Sequence, residues 1–194
     1  MNQVKSKKEQ FINQKKSKAP VFIAVGALLI IAALTLVFLN NRSGKNEGEL
    51  FGNPVANERS YVGELIRMTK VEPIVESDSI QIPLDIVDMN NIVYFESENN
   101  NQETVPMMAY ITPSGRLFTG SSLCEPCRGT TFSLAGETLV CDTCKTTYDI
   151  ETHEFISGAK ICGTYPPVNM NAEVIDGQVV ISKEEILKWE IRVN

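Results

Sequence analysis

Two Cys-x-x-Cys pairs are the residues of this chain best equipped for chemistry. They read Cys124-Glu-Pro-Cys127 and Cys141-Asp-Thr-Cys144, with thirteen residues between them. In such a turn the two sulfurs converge on one side while backbone N–H groups point at them. Two turns at the ends of adjacent hairpins complete a tetrahedral sulfur cage. Four soft thiolates in that arrangement suit zinc, rubredoxin-type iron or an iron–sulfur cluster. The doubled motif is a far more specific signal than a single pair.

Other reactive residues are few. Cys162 is the odd cysteine. It reads as an extra ligand, as a residue approaching the centre from a proline-rich loop, or as a small buried hydrophobe. His153, the one histidine, sits in a Glu-Thr-His-Glu stretch and reads as a surface residue. Arg128 and Lys145 follow the two pairs at matching places, either offsetting negative charge at the centre or standing in solvent. No Ser/His/Asp set and no phosphate-cradling glycine loop is present, so hydrolytic chemistry is not expected.

The pairs must be brought together by the elements around them. Thr130–Leu134 and Thr138–Val140 predict a hairpin turning at Ala135-Gly136-Glu137, so that both pairs fall at its open end. Before it, Ser79–Val87 alternates apolar and polar residues as a half-buried strand, with Ile80, Ile82, Leu84 and Ile86 on one face. Pro83 within that run predicts an edge or a bulge. Asp88–Asn91 reads as a turn, Ile92–Glu96 as the returning strand, and Val105–Thr112 as another strand. After the pairs come a strand at Thr147–Ile150, a proline-rich loop from Ile161 to Pro167, and a hairpin with Asp176-Gly177 at its turn. Ser182-Lys-Glu-Glu185 has capping-box form and starts a terminal helix. Trp189 reads as packing. The fold class expected is mainly β.

The N-terminal part differs in kind. Residues 1–19 hold six lysines and one glutamate, whereas the rest of the chain carries 12 basic and 23 acidic residues; the net charge of the whole chain is −6. An acidic body without a basic stripe argues against nucleic acid as a partner. Pro20 to Leu39 is uncharged and apolar all round. As a helix it would span about 30 Å, the thickness of a bilayer's hydrocarbon core. It is too long for a signal-peptide core and has no cleavage site after it. The lysines ahead of it place the N-terminus in the cytoplasm. The organisation expected is therefore a basic cytoplasmic segment (1–19), a single-pass transmembrane helix (20–39), a linker (40–70) and an extracytoplasmic β domain (71–194). Thiols on that side of a membrane tend to pair as disulfides unless a metal holds them.

The order of motifs resembles a Rieske domain with cysteines in place of histidines. Cys141-Asp-Thr-Cys144 followed by Tyr148-Asp149 matches a second ligand loop. Gly163-Thr-Tyr-Pro166-Pro167 matches a proline loop, and Val174–Ile181 a closing hairpin. No histidine stands at a ligand position, so Rieske redox behaviour does not carry over. The chain more closely resembles the FtrD-like family of membrane iron–sulfur proteins, from about Ile80 to Ile181. The features that carry this likeness are Ile82-Pro83-Leu84, the two cysteine pairs, and the stretch from Gly158 through Cys162 to Pro166. The resemblance implies that Cys124, Cys127, Cys141 and Cys144 bind an iron–sulfur cluster, expected as 2Fe–2S. It also implies electron transfer linked to iron transport, with an iron-transport or redox membrane complex as partner.

An all-cysteine 2Fe–2S centre would lower the reduction potential from the Rieske range toward roughly −400 mV. The alternative is a zinc-ribbon-like domain in which zinc only holds the fold. A thiol–disulfide oxidoreductase fits less well, because its Cys-x-x-Cys opens a helix beside a βαβ unit rather than lying among strands.

Overall fold

The computed structural model describes residues 50–193. By its contacts the chain divides into residues 1–46 and residues 47–194, and the described part belongs to the second unit. The basic segment, the span at 20–39 and the start of the expected linker lie outside the described residues. Among the described residues, no helix is long and apolar enough to cross a membrane.

The rest of the expected linker is part of the fold. Phe51 and Tyr61 are buried, and the Tyr61 hydroxyl donates to the Ile111 carbonyl at 2.7 Å. Two short strands follow, β1 (Leu65–Arg67) and β2 (Thr69–Lys70). The Gly/Asn/Glu-rich composition that suggested a linker hides these two aromatic anchors, each of which buries a large apolar area.

Next come β3 (Ile74–Val75) and β4 (Ser79–Pro83). The alternating run does not continue as strand beyond Pro83, where helix α1 (Leu84–Asn90) begins. Pro83 is its N-cap residue, with φ −55° and ψ 129°. Asn91 ends it at φ 64°, a conformation that asparagine tolerates better than most residues. The β-branched Ile86 and Val87 favoured a strand in the sequence, but the turn expected at Asp88–Asn91 is the last turn of this helix. Strands β5 (Ile92–Glu98), β6 (Thr104–Ile111) and β7 (Leu117–Ser121) then form a meander.

The cysteine region supplies β8 (Phe132–Ala135), β9 (Thr138–Cys141), β10 (Thr147–Asp149) and β11 (Phe155–Ser157). A one-turn helix α2 (Lys160–Gly163) stands where a loop was expected. The closing hairpin is β12 (Glu173–Ile175) and β13 (Gln178–Ser182). Its turn residues Asp176 and Gly177 have φ 50° and 76°, the positive values an Asp-Gly hairpin turn uses. Helix α3 (Lys183–Leu187) follows, its first turn capped by the Ser182 hydroxyl accepting from the Glu184 N–H.

These elements make three sheets: β1-β8-β9-β10-β11, β12-β13-β4-β3 and β2-β5-β6-β7. The β2–β5 pair is parallel and the other pairs are antiparallel. The third sheet feeds two cores. Met107, Ala109 and Ile111 of β6 join Ile80, Ile82, Val179, Ile181 and Trp189. Met108 and Tyr110, on the opposite face of the same strand, join Phe132, Leu134, Leu139, Tyr148 and the cysteines. Period-two alternation, with apolar residues on both faces, is why β6 reads as a continuous apolar run. The metal-binding candidates therefore sit on the second core.

Candidate metal centre

The hairpin β8–β9 does what its sequence predicts. Phe132 pairs with Cys141 at its open end, while Ala135 and Thr138 flank the far turn. Cys124–Cys127 precedes the first strand and Cys141–Cys144 follows the second, so both pairs arrive at one end of the sheet. The sulfurs of Cys124, Cys127, Cys141 and Cys144 all lie within 4.8 Å of one another. Two of these approaches cross between the pairs: Cys124 to Cys144 and Cys127 to Cys141, each 3.8 Å.

The two loops are built alike. The Cys124 N–H donates to the Gly129 carbonyl at 2.7 Å, and the Cys141 N–H to the Thr146 carbonyl at 2.9 Å. The Arg128 N–H returns to the Cys124 carbonyl at 2.8 Å, and the Lys145 N–H to the Cys141 carbonyl at 3.0 Å. Arg128 and Lys145 both have φ 60°. This left-handed residue after each pair curls the chain back so that the following N–H faces a sulfur. Their charged ends are occupied elsewhere: the Arg128 guanidinium donates to the Val193 carbonyl at 3.2 Å and the Lys145 ammonium to the Asp142 carbonyl at 2.6 Å.

Gly129 is where the loops touch. A Cβ there would lie 2.5 Å from Thr143 Oγ1, 2.8 Å from Thr143 Cβ and 3.3 Å from the Cys141 sulfur. Only a residue without a side chain lets the loops approach this closely.

Proton affinities in the cage are divided between the loops. The hydrogen bond with Cys124 is the largest influence holding the Cys141 thiol down to about 5, helped by the N–H groups of Cys144 and Thr143. The same contact, followed by burial, pushes Cys124 far up. Burial pushes Cys127 up to about 11, against the Gly129 N–H. At Cys144 burial is outweighed by hydrogen bonds from the Thr146 hydroxyl and N–H, and the thiol is lowered. A thiolate is thus stabilised in the cage even without a cation, the state a metal ligand needs. Cys124 and Cys141 are buried while Cys127 and Cys144 are half-buried, so the cage has one face in the protein and one toward the surface.

Cys162 is not in this group of four. It is buried in the second core, on α2, where its carbonyl accepts the Tyr148 hydroxyl at 2.7 Å. Its thiol is near enough to Cys124 to be among the influences that raise that residue's proton affinity, so its place suits both a small buried hydrophobe and a residue approaching the centre. His153 differs more from expectation. It is 6% exposed, with ring centroids 4.4 Å from Phe118 and 5.0 Å from Phe51. Its Nδ1–H donates to the Pro167 carbonyl at 3.3 Å, leaving Nε2 at 2.7 Å from the Tyr110 hydroxyl. Burial lowers its pKa to about 4, so the ring is neutral near pH 7. Acidic neighbours in the sequence disguised an aromatic cage assembled from distant segments.

A second residue passed over in the sequence is Glu125, inside the first pair. It is 1% exposed and is gripped by Arg192 through Nε at 2.7 Å and the backbone N–H at 2.6 Å. The same guanidinium donates to the Pro166 carbonyl at 2.7 Å. The tail, the first cysteine loop and the proline loop are thereby tied together. The segment just after the proline loop lies against β7, with the Met170 N–H donating to the Thr119 carbonyl at 2.8 Å.

A family model described as membrane iron-sulfur containing protein FtrD-like matches residues 87–192. That match takes in both cysteine pairs, the proline loop and Arg192. No curated protein and no solved structure matches the chain, so the likeness to Rieske domains remains one of motif order.

Proposed function

This chain belongs to the FtrD-like family of membrane iron–sulfur proteins, and from that premise we propose that it is a membrane-tethered electron-transfer protein acting in iron transport. Cys124, Cys127, Cys141 and Cys144 are its metal ligands. The observation that carries this reading is the mutual approach of four sulfurs to within 4.8 Å. Iron held by thiolates supplies one-electron oxidation and reduction.

The chain's own residues prepare the cage for that role. N–H groups of Gly129, Thr143, Cys144 and Thr146 stabilise thiolate charge. Cys124 and Cys141 anchor the cage in the second core, where Tyr148 and Phe132 exclude water. Cys127 and Cys144 lie on the outer side, the short route for an electron from a partner. The apolar span at 20–39 tethers the domain, with the lysine-rich N-terminus in the cytoplasm and the β domain outside. The partner is then an iron-transport or redox complex in the same membrane.

The test is a redox titration of the full chain purified in detergent, followed by visible absorption. Reversible bleaching on reduction, lost in Cys141→Ser, is the expected result. A colourless protein carrying zinc would overturn electron transfer and leave a structural zinc-ribbon-like role. Protease added to intact cells should cut the β domain and leave the N-terminus protected; the reverse pattern overturns the orientation.

A further inference from the structure

We infer that the four cysteines hold a single metal ion rather than a two-iron, two-sulfide cluster. This rests on the metal-binding reading above and narrows it. The donor set suits iron in either form, so sulfur spacing is the observation that separates them.

Four sulfurs at about 2.3 Å from one ion stand about 3.8 Å apart along every edge of the tetrahedron. In a two-iron cluster the bridging sulfides separate the two pairs of thiolates by about 5 Å or more. However the cysteines are paired on the two irons, four of the six sulfur–sulfur distances must be long. Here none exceeds 4.8 Å, and two are 3.8 Å. Those two approaches cross from one loop to the other, which leaves no gap between the loops for a sulfide-bridged core.

The backbone makes the same point independently. The loops repeat each other's hydrogen bonds and positive-φ residue, so each offers two sulfurs to a common point in the same way. They touch at Gly129, where even a methyl group would strike Thr143. A two-iron core would have to prise the loops apart at that contact. The tie from Glu125 to Arg192 and the pairing of Phe132 with Cys141 resist such movement on either side.

The test uses the full chain, purified without oxygen in detergent from iron-supplemented cells. Iron, zinc and acid-labile sulfide are measured per chain, and X-ray absorption at the metal edge is recorded on the same sample. We expect one metal ion per chain, no acid-labile sulfide, a sulfur shell at about 2.3 Å and no metal–metal shell. Two irons with two sulfides, or a metal–metal shell at any stoichiometry, overturns the inference while leaving the metal-centre reading intact. One zinc without sulfide supports the single-ion geometry and overturns electron transfer. Protein free of metal overturns both.

Discussion

His153 gives the clearest single-residue consequence of the fold. Its pKa is lowered to about 4 from an ordinary 6.5, because burial disfavours the charged ring. Between those values the unfolded chain binds the extra proton, so stability is full above about pH 6.5 and falls as the pH drops toward 4. The expected loss between pH 7 and pH 5 is about 2 kcal/mol. Thiolate protonation weakens metal binding over the same range, so denaturant unfolding should be compared with His153→Phe, whose slope against pH should be flatter by that amount. The cysteines separate in the same way. Cys141→Ser should lose the metal, whereas Cys162→Ser should keep it and cost about 1–2 kcal/mol for a hydroxyl placed among apolar neighbours. Metal content and chemical denaturation check the pair. The four clustered cysteines are legible in the sequence because metal-binding chemistry has a recognisable spacing. His153 and Glu125 are not, because their partners lie 43 and 67 residues away.

The two cysteine loops and the tail that locks them behave as elements. Gly129→Ala places a methyl group against Thr143 and should cost about 1–3 kcal/mol through overpacking. Metal affinity should fall with it, and both should recover in part when Thr143→Gly is added; thermal melts and competition with a chelator measure the two effects. Arg192→Ala removes the guanidinium and leaves the buried Glu125 carboxylate only the backbone N–H of residue 192, and should cost about 3 kcal/mol. Arg192→Lys restores charge but not the fork that also reaches Pro166, so its unfolding midpoint should fall between the other two. The hairpin β8–β9 and the Asp176-Gly177 turn are visible beforehand in local pattern and turn chemistry. Helix α1 is not, since Leu84–Asn90 fits a strand face and a helix stripe about equally over seven residues. Pro83, which reads as a strand irregularity, decides the matter by standing at the helix start.

At the scale of the molecule, the N-terminal boundary is where composition misleads most. A chain starting at residue 47 retains Phe51, Tyr61, β1 and β2, and should fold and bind metal. One starting at residue 71 loses the strand beside β8, the strand beside β5 and two buried aromatic side chains. At about 3–5 kcal/mol for each large aromatic removed, the second should be unfolded or aggregated; circular dichroism and gel filtration distinguish the outcomes. The polar residues between Asn53 and Ser60 give no periodic signal, although the Val55 N–H donates to the Gly115 carbonyl at 2.8 Å and the Arg59 N–H to the Pro113 carbonyl at 2.9 Å. Such attachments run through backbone groups, which every sequence possesses.

One consequence follows from β6, which is covered on both faces and hydrogen-bonded along both edges. Its amides have no route to deuterium short of global unfolding, whereas those of β11, outermost in its sheet with every side chain exposed, exchange through local fraying. A deuterium-uptake map of the described residues should therefore show slow exchange at Met107–Ile111 and fast exchange along Phe155–Ser157.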